Sequence, residues 1–324
     1  MVVTELVLIP MTFLFKMDKI EKKEYGLPPR KITNKNNLPR AIMNALHNDP
    51  YTKGNSDIST TQLIKPVRIV KYEKEYKYNI TEDASDLIFS LVGQSVHHII
   101  ERAVADNDIA ERRLYCEING WSLSGQFDLL TTKKELIDFK VTSAWSTLDA
   151  LKNGKSEWEQ QLNVLDYLAY KNQYDVDTLS IMAILRDWSK LKALTSTDYP
   201  KQQVVMIPIK RWTRKEQQNF IEKRIKLHQL ADSAKANNYE HIPVCTPKER
   251  WRKEDKYAIM KNGRKTALRV LDNKNQVKQY LKDKKLIEGK GCTVVFRAGE
   301  DTRCKYYCNV NKFCNYYKEE SVEF

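Results

Sequence analysis

The chain has 324 residues, 41% of them hydrophobic, enough to bury a full core as one large domain or as a core with a substantial extension. Fifty-five basic residues oppose 42 acidic ones, and the net charge of +13 favours polyanionic partners, nucleic acid before an anionic membrane surface. No apolar run reaches the ~18–20 residues that span a bilayer, so membrane-embedded classes are excluded and a cytoplasmic chain is expected. Its six cysteines then read as reduced thiols or metal ligands rather than disulfides.

Residues 1–15 are apolar, but Glu5 interrupts them and no basic segment precedes them, which makes a poor secretion signal. An edge strand, or a true start at Met11 or Met17, is the expectation. The next stretch is polar, with Pro28, Pro29, Pro39 and Pro50, and reads as the rest of an N-terminal arm (1–56) with one short helix near Arg40–Leu46. A helix start follows Asp57, with Ser59 or Thr60 as N-cap. From Asp83 to Ala105, Leu87, Ile88, Leu91, Val92, Val96, Ile99 and Ile100 recur at helical spacing. Gly93, His97 and Glu101 share one stripe of that helix. Taken alone, the stripe reads first as a helix-packing glycine beside a partly buried, hydrogen-bonded histidine, and second as a functional site.

Glu117 to Thr142 reads as three strands cut by two turns. Asn119-Gly120 is the signal of a two-residue hairpin, and Thr131–Lys134 is a second polar break. With that loop centred near Lys133, Asp128 stands opposite or nearly opposite Asp138. Period two puts Asp138 and Lys140 on one face, and Phe127, Phe139 and Val141 can face a core. Like charges opposed across a sheet destabilise it. A divalent ion would relieve them, and hard carboxylate oxygens suit Mg²⁺ or Mn²⁺. A lysine there can orient or help deprotonate a water and steady developing charge. A solvated hairpin with scattered charges is the alternative for an isolated Asp-x-Lys.

A helix over Ser156–Tyr174 with Trp158, Leu162, Leu165 and Ala169 inward, and Gln161 beside that face, comes next. Strands at Thr178–Leu185 and Gln203–Ile209 and an amphipathic helix over Thr213–Lys235, with Phe220, Ile221 and Ile225 inward, complete a core spanning 57–240. This order predicts a mixed α/β fold, a sheet flanked by helices. The extension 241–324 is basic: Lys248 to Lys290 holds fifteen basic and six acidic residues around Trp251, Tyr257 and Tyr280, with a hairpin signal at Asn262-Gly263. That stretch is either a solvated face or a surface tracking phosphates. In the tail, Cys304, Cys308 and Cys314 fall within eleven residues. With a fourth thiolate they could hold Zn²⁺ or an iron–sulfur cluster; small buried hydrophobes are the plain alternative.

G-Q-S-V-H-H-I-I-E (Gly93–Glu101), S-G-Q-F-D (Ser124–Asp128), I-D-F-K (Ile137–Lys140) and Q-L-N-V-L-D-Y (Gln161–Tyr167) occur in the order of the PD-(D/E)xK nuclease superfamily, and the chain resembles its RecB-type branch. The resemblance covers roughly Asp57–Trp188. Arg186-Asp187-Trp188 and the cysteine tail look similar to bacteriophage-encoded members. It implies a restriction-endonuclease-like core sheet and a Mg²⁺- or Mn²⁺-dependent deoxyribonuclease, an exonuclease serving phage DNA replication, recombination or processing in a bacterial host's cytoplasm. DNA would be the substrate, and a helicase or recombination protein a possible partner. A non-catalytic nucleic-acid-binding protein on the same fold is the rival.

Carried over by motif, Asp128, Asp138 and the Phe139 carbonyl would bind the metal, and His97 would bind or orient it. Lys140 would serve the attacking water, and Gln161 would position Lys140 or the nucleic-acid backbone. Glu101 and Glu117 are weaker candidates. The family's Q-x-x-x-Y departs here, since Leu165 fills the aromatic position and Tyr167 follows two residues later. Iron–sulfur members usually take one cysteine from before the histidine motif, and this chain has none there. A 4Fe-4S cluster, or Zn²⁺ instead, would therefore use Cys304, Cys308 and Cys314 with Cys245, which sits in a Pro-bounded turn, ahead of Cys292 and Cys116.

Overall fold

The structure is a computed structural model and is described for residues 31–48, 53–105, 107–234 and 242–320. The expectations for residues 1–16 lie outside these. The described part of the arm holds β1 (Lys31–Thr33) and α1 (Arg40–His47). Then come β2 (Ile58–Ser59), α2 (Thr60–Ile64), α3 (Val67–Glu75) and β3 (Thr81–Asp83). Ser59 caps α2 in a reciprocal box with Gln62. The arm is tied down: β1 pairs in parallel with β3, and Thr33 Oγ1 donates to Asp83 Oδ2 at 2.7 Å.

The helix expected from Asp83 begins as a 3₁₀ turn at Ala84–Leu87, capped by Asp83, and continues as α4 (Ile88–Glu101). Next come β4 (Ile109–Ile118), β5 (Trp121–Leu130), β6 (Glu135–Thr142), α5 (Ala144–Asn153) and α6 (Ser156–Lys171). They are followed by β7 (Thr178–Leu185), α7 (Lys190–Thr195), β8 (Val204–Ile209) and α8 (Arg214–Ser233). Asn119 and Gly120 both have positive φ, 49° and 75°, as the β4–β5 hairpin requires. Lys134, at φ 59°, closes the second turn by donating to Thr131 O.

The result is a mixed α/β fold with a central six-stranded sheet. Along β5 one edge pairs with β4; the other is shared, with β2 parallel at Leu123–Ser124 and β6 antiparallel at Leu129–Leu130. β6 and β7 run parallel, and β8 closes the sheet antiparallel. Leu123, Phe127, Leu136, Leu162, Leu165, Leu168 and Ile181 are buried in one core beneath α6. Gly125 permits that contact: a Cβ there would fall 2.5 Å from Thr60 Oγ1 and 2.6 Å from the methyls of Leu165 and Leu168.

Helix α8 carries His228, buried, with Nε2 donating to Leu63 O at 3.1 Å. Burial pushes its pKa down to about 4; the Leu63 bond opposes this, and Arg224 and Lys74 add to it. The unfolded imidazole takes its proton near pH 6.5 and the folded one near 4, so the unfolded state binds more protons between these values. Stability is then full above pH 6.5 and falls by about 2–3 kcal/mol as pH drops through 4. Urea titrations across pH 4–7 should show this slope, and His228→Gln should flatten it.

After α8 the chain forms β9 (Arg252–Lys253), β10 (Lys256–Lys261), β11 (Arg269–Leu271), α9 (Lys274–Asp283), β12 (Ile287–Glu288), β13 (Gly291–Arg297) and β14 (Glu300–Asp301). The strands β11-β10-β13-β12 make a second sheet, with Ile259, Val277 and Cys292 as its core. Asn262-Gly263 does turn the chain, but β11 resumes only at Arg269 and the longer partner of β10 is β13. The tail comprises α10 (Thr302–Tyr306), a 3₁₀ turn at Asn311–Phe313 and α11 (Asn315–Glu320). It returns to α3: Val310 is buried with Val67, Ile69 and Tyr72, and Phe313 stacks on Tyr76 with ring centroids 4.2 Å apart. Among the described residues no helix is long and apolar enough to cross a membrane.

Candidate metal centre and cysteine pocket

The site forms where β5 and β6 part. Their ladder ends at Leu129↔Ile137, so the two strands open before Asp128 and Asp138. Asp128 Oδ2 fills the gap by accepting the Phe139 N–H at 2.6 Å, replacing a ladder bond with a side-chain bond. β4 keeps a single register along the whole of β5, from Ile118↔Trp121 to Ile109↔Leu130. Across β4, Glu111 has φ 47°, a left-handed conformation that costs a non-glycine residue of order 1 kcal/mol or more. The β4–β5 register runs through Ala110↔Leu129 and Arg112↔Phe127, leaving Glu111 and Asp128 as the opposed pair between them.

These distortions aim both carboxylates at one histidine of α4. His97 Nδ1 lies 3.3 Å from Glu111 Oε1 and 3.5 Å from Asp128 Oδ1. Ligand atoms of His97, Glu111 and Asp128 all fall within 4.8 Å of one another. Gln126 Nε2 donates to Glu111 Oε2 at 2.5 Å, and Arg113 donates to Gln126 Oε1 at 2.7 Å, so Glu111 is oriented from behind. The His97 ring meets Phe139 edge-on at 5.9 Å.

Asp138 stands beside this group rather than in it. It is buried, receives Gln161 Nε2 from α6 at 2.8 Å on Oδ1, and has Lys140 Nζ 2.6 Å from Oδ2. The β5–β6 register, carried one step past Leu129↔Ile137, sets Asp128 across from Asp138 where the two strands have parted. The tight acidic pair is Glu111 and Asp128, with Asp138 adjoining under Lys140 and Gln161. Glu101 is exposed beside His98 and Glu117 is exposed on β4, so neither reaches the site. Tyr167 is buried in the core.

The electrostatics show a centre short of positive charge. Burial, then the charge of Asp138, pushes the Asp128 carboxyl up to about 7, against the pull of His97 and Lys140. The His97 imidazole is raised by its bond to Glu111, opposed by burial and helped by Asp128. Burial works against the Lys140 ammonium, but Asp138 and Asp128 together raise its pKa. The metal-free arrangement thus favours the ammonium form of Lys140, paired with Asp138. Two carboxylates and an imidazole at this spacing could hold a metal ion.

Cys245, Cys304, Cys308 and Cys314 line one pocket with Arg68, Tyr72 and Arg250. Burial, then Glu249 for Cys245 and Cys308 for Cys304, pushes both thiols up to about 12. Cys292 belongs to the core of the second sheet and Cys116 packs against the main core.

No family model matches the chain, and no curated protein does. Among solved structures, the chain is similar to the protein SSO0001 at 18% identity over 58% of this chain and 84% of that one, with a TM-score of 0.41. It is also similar to an alkaline exonuclease, LHK-Exo from Laribacter hongkongensis, at 11% identity over 53% and 87%, TM-score 0.34. A third is a phage-related exonuclease from Haemophilus somnus, at 16% identity over 51% and 70%, TM-score 0.28.

Proposed function

We propose that the chain is a divalent-metal-dependent deoxyribonuclease, an exonuclease of phage DNA processing, with His97, Glu111, Asp128 and Asp138 holding the ion. The observation that carries this reading is the convergence of His97, Glu111 and Asp128 within 4.8 Å beside a lysine-bound Asp138. A bound Mg²⁺ or Mn²⁺ would supply Lewis acidity to the scissile phosphate and lower the pKa of a water. The Phe139 carbonyl would be a further ligand. The protein's own residues do the positioning. Gln161 and Lys140 fix the two oxygens of Asp138. The Lys140 ammonium holds the attacking water and offsets the negative charge that grows on the phosphate. Glu111 sets the ring of His97 and is itself set by Gln126. Incubation with end-labelled linear and circular DNA tests the reading. Cleavage with Mg²⁺ or Mn²⁺ and none in EDTA supports it, and metal-independent binding without cleavage returns the chain to the non-catalytic alternative.

The basic stretch from Lys248 to Lys290 would track phosphates beyond the site. Neutralising Lys282, Lys284 and Lys285 should then shallow the slope of log K against log salt by about two to three, from roughly 0.9 per phosphate contact on duplex DNA. An unchanged slope assigns those lysines to a solvated face.

Cys245, Cys304, Cys308 and Cys314 are proposed to hold a 4Fe-4S cluster, with Zn²⁺ as the alternative. No three of their sulfurs fall within 4.8 Å of one another among the described residues. The tail's apolar contacts with α3 already dock it, and the centre would add to that docking. Anaerobically purified protein should carry iron and acid-labile sulfide; one zinc and no colour would reject the cluster. Cys304→Ser should speed proteolysis of the tail without changing the residues around Asp128.

A further inference from the structure

At the carboxyl ends of the parallel pair β6 and β7, just past Lys140, the chain collects cations and aromatic rings that the proposed chemistry does not use. Trp145, in the first turn of α5, is 74% exposed. The next residue, Ser146, accepts a bond from Lys155 Nζ at 3.1 Å. Lys155 is half-buried over the Trp158 ring at 4.2 Å and enters no ion pair among the described residues. Burial lowers its pKa, Glu157 pulls it back up, and the charge of Lys140 adds to the lowering. Arg186 follows β7, with its backbone N–H bonded to Thr142 O. Its guanidinium lies 3.8 Å over the ring of Phe89, itself 57% exposed on α4. The carboxylate at this edge, Asp187, is occupied by the Ala144 N–H at 2.7 Å.

Aromatic faces left to solvent beside cations that enter no ion pair among the described residues suit a strand whose bases are unstacked. Paired bases present no faces to such rings. We propose that Trp145, the Arg186–Phe89 pair and Lys155 form a docking lip for an unpaired DNA strand, with bases stacked on the two rings and a phosphate on Lys155. The lip lies where ligands enter an α/β sheet, outside the carboxyl ends of parallel strands. It rests on the nuclease reading for its purpose, since it would feed a single-stranded end to the metal centre, but its binding is measurable apart from cleavage.

The test is fluorescence anisotropy on the full chain in EDTA, with a 20-nucleotide oligothymidylate and a blunt 20-base-pair duplex as probes. Trp145→Ala should weaken the single strand roughly tenfold, the scale of one lost stacking contact, and leave the duplex within about twofold. Trp145→Phe should restore most of the loss. Lys155→Gln should reduce the single-strand salt slope by about 0.7. An unchanged oligothymidylate affinity in Trp145→Ala, or an equal loss on both probes, would overturn the lip. Failure of the wild type to cleave with Mg²⁺ would remove the nuclease reading while leaving this difference between the probes to be read.

Discussion

Asp128→Asn, Asp138→Asn and Glu111→Gln should each lower the rate of metal-dependent DNA cleavage by at least about a thousandfold. Losing one ligand of a catalytic ion removes several kcal/mol of charge stabilisation, and each 1.36 kcal/mol is a factor of ten. The amide replacements keep an acceptor oxygen where one is needed: Asp128 must still receive the Phe139 N–H, and Glu111 the Gln126 amide. The fold should survive. The metal-free Asp128 carboxyl is raised to about 7, so the unfolded state has already lost this proton while the folded state still holds it between pH 4 and 7. That group's contribution falls as pH rises through the window. At pH 8 Asp128→Asn should therefore be at least as thermostable as the wild type without metal. Single-turnover rates and melting curves on the same preparations separate lost chemistry from lost structure.

Asp166→Ala should destabilise the protein by about 3 kcal/mol, the scale of stranding buried charges. Asp166 is fully buried on α6. Its oxygens receive Arg211 Nε at 2.8 Å, Arg214 Nη2 at 3.1 Å and Gln217 Nε2 at 2.7 Å. Asn163, one helical turn earlier, accepts the Trp212 N–H at 2.7 Å. This cluster fastens the start of α8 to the helix that carries Gln161. Removing the carboxylate leaves two guanidiniums facing each other, each only about a third exposed. Urea denaturation measures the loss, and a change below about 1 kcal/mol would show that solvent replaces the aspartate.

Local patterns were legible where the cause is local. Asn119-Gly120 set the first hairpin, and the polar break centred on Lys133 set the register Leu129↔Ile137. The run Thr178–Leu185 matched its strand residue for residue. Within Gln161–Tyr167 the sequence pointed to Gln161, but it gave no sign that Asn163 and Asp166 are structural, because their partners lie some fifty residues away. Glu111 was missed for a related reason. It is an acidic residue in a charged strand, and its role depends on a positive φ and on α4 crossing above it. No spacing rule encodes either. A single cue existed: Glu111 falls opposite Asp128 once the Asn119-Gly120 turn fixes the hairpin register. The cysteine pocket lay between these extremes. The density of Cys304, Cys308 and Cys314 was visible in the chain, while the nearness of Cys245 depends on residues 242–245 reaching Arg68 of α3.

The carboxylates between α4 and the parted strands should bind a divalent ion directly. Isothermal titration of Mn²⁺ into the metal-free protein at pH 8 should show saturable binding that Mg²⁺ competes away. Binding should release protons and weaken at pH 6, because Asp128 must lose its proton to become a ligand. Asp128→Asn should abolish it. Mn²⁺ binding that is absent at pH 8, or that persists unaltered in Asp128→Asn, would contradict the assignment of this site.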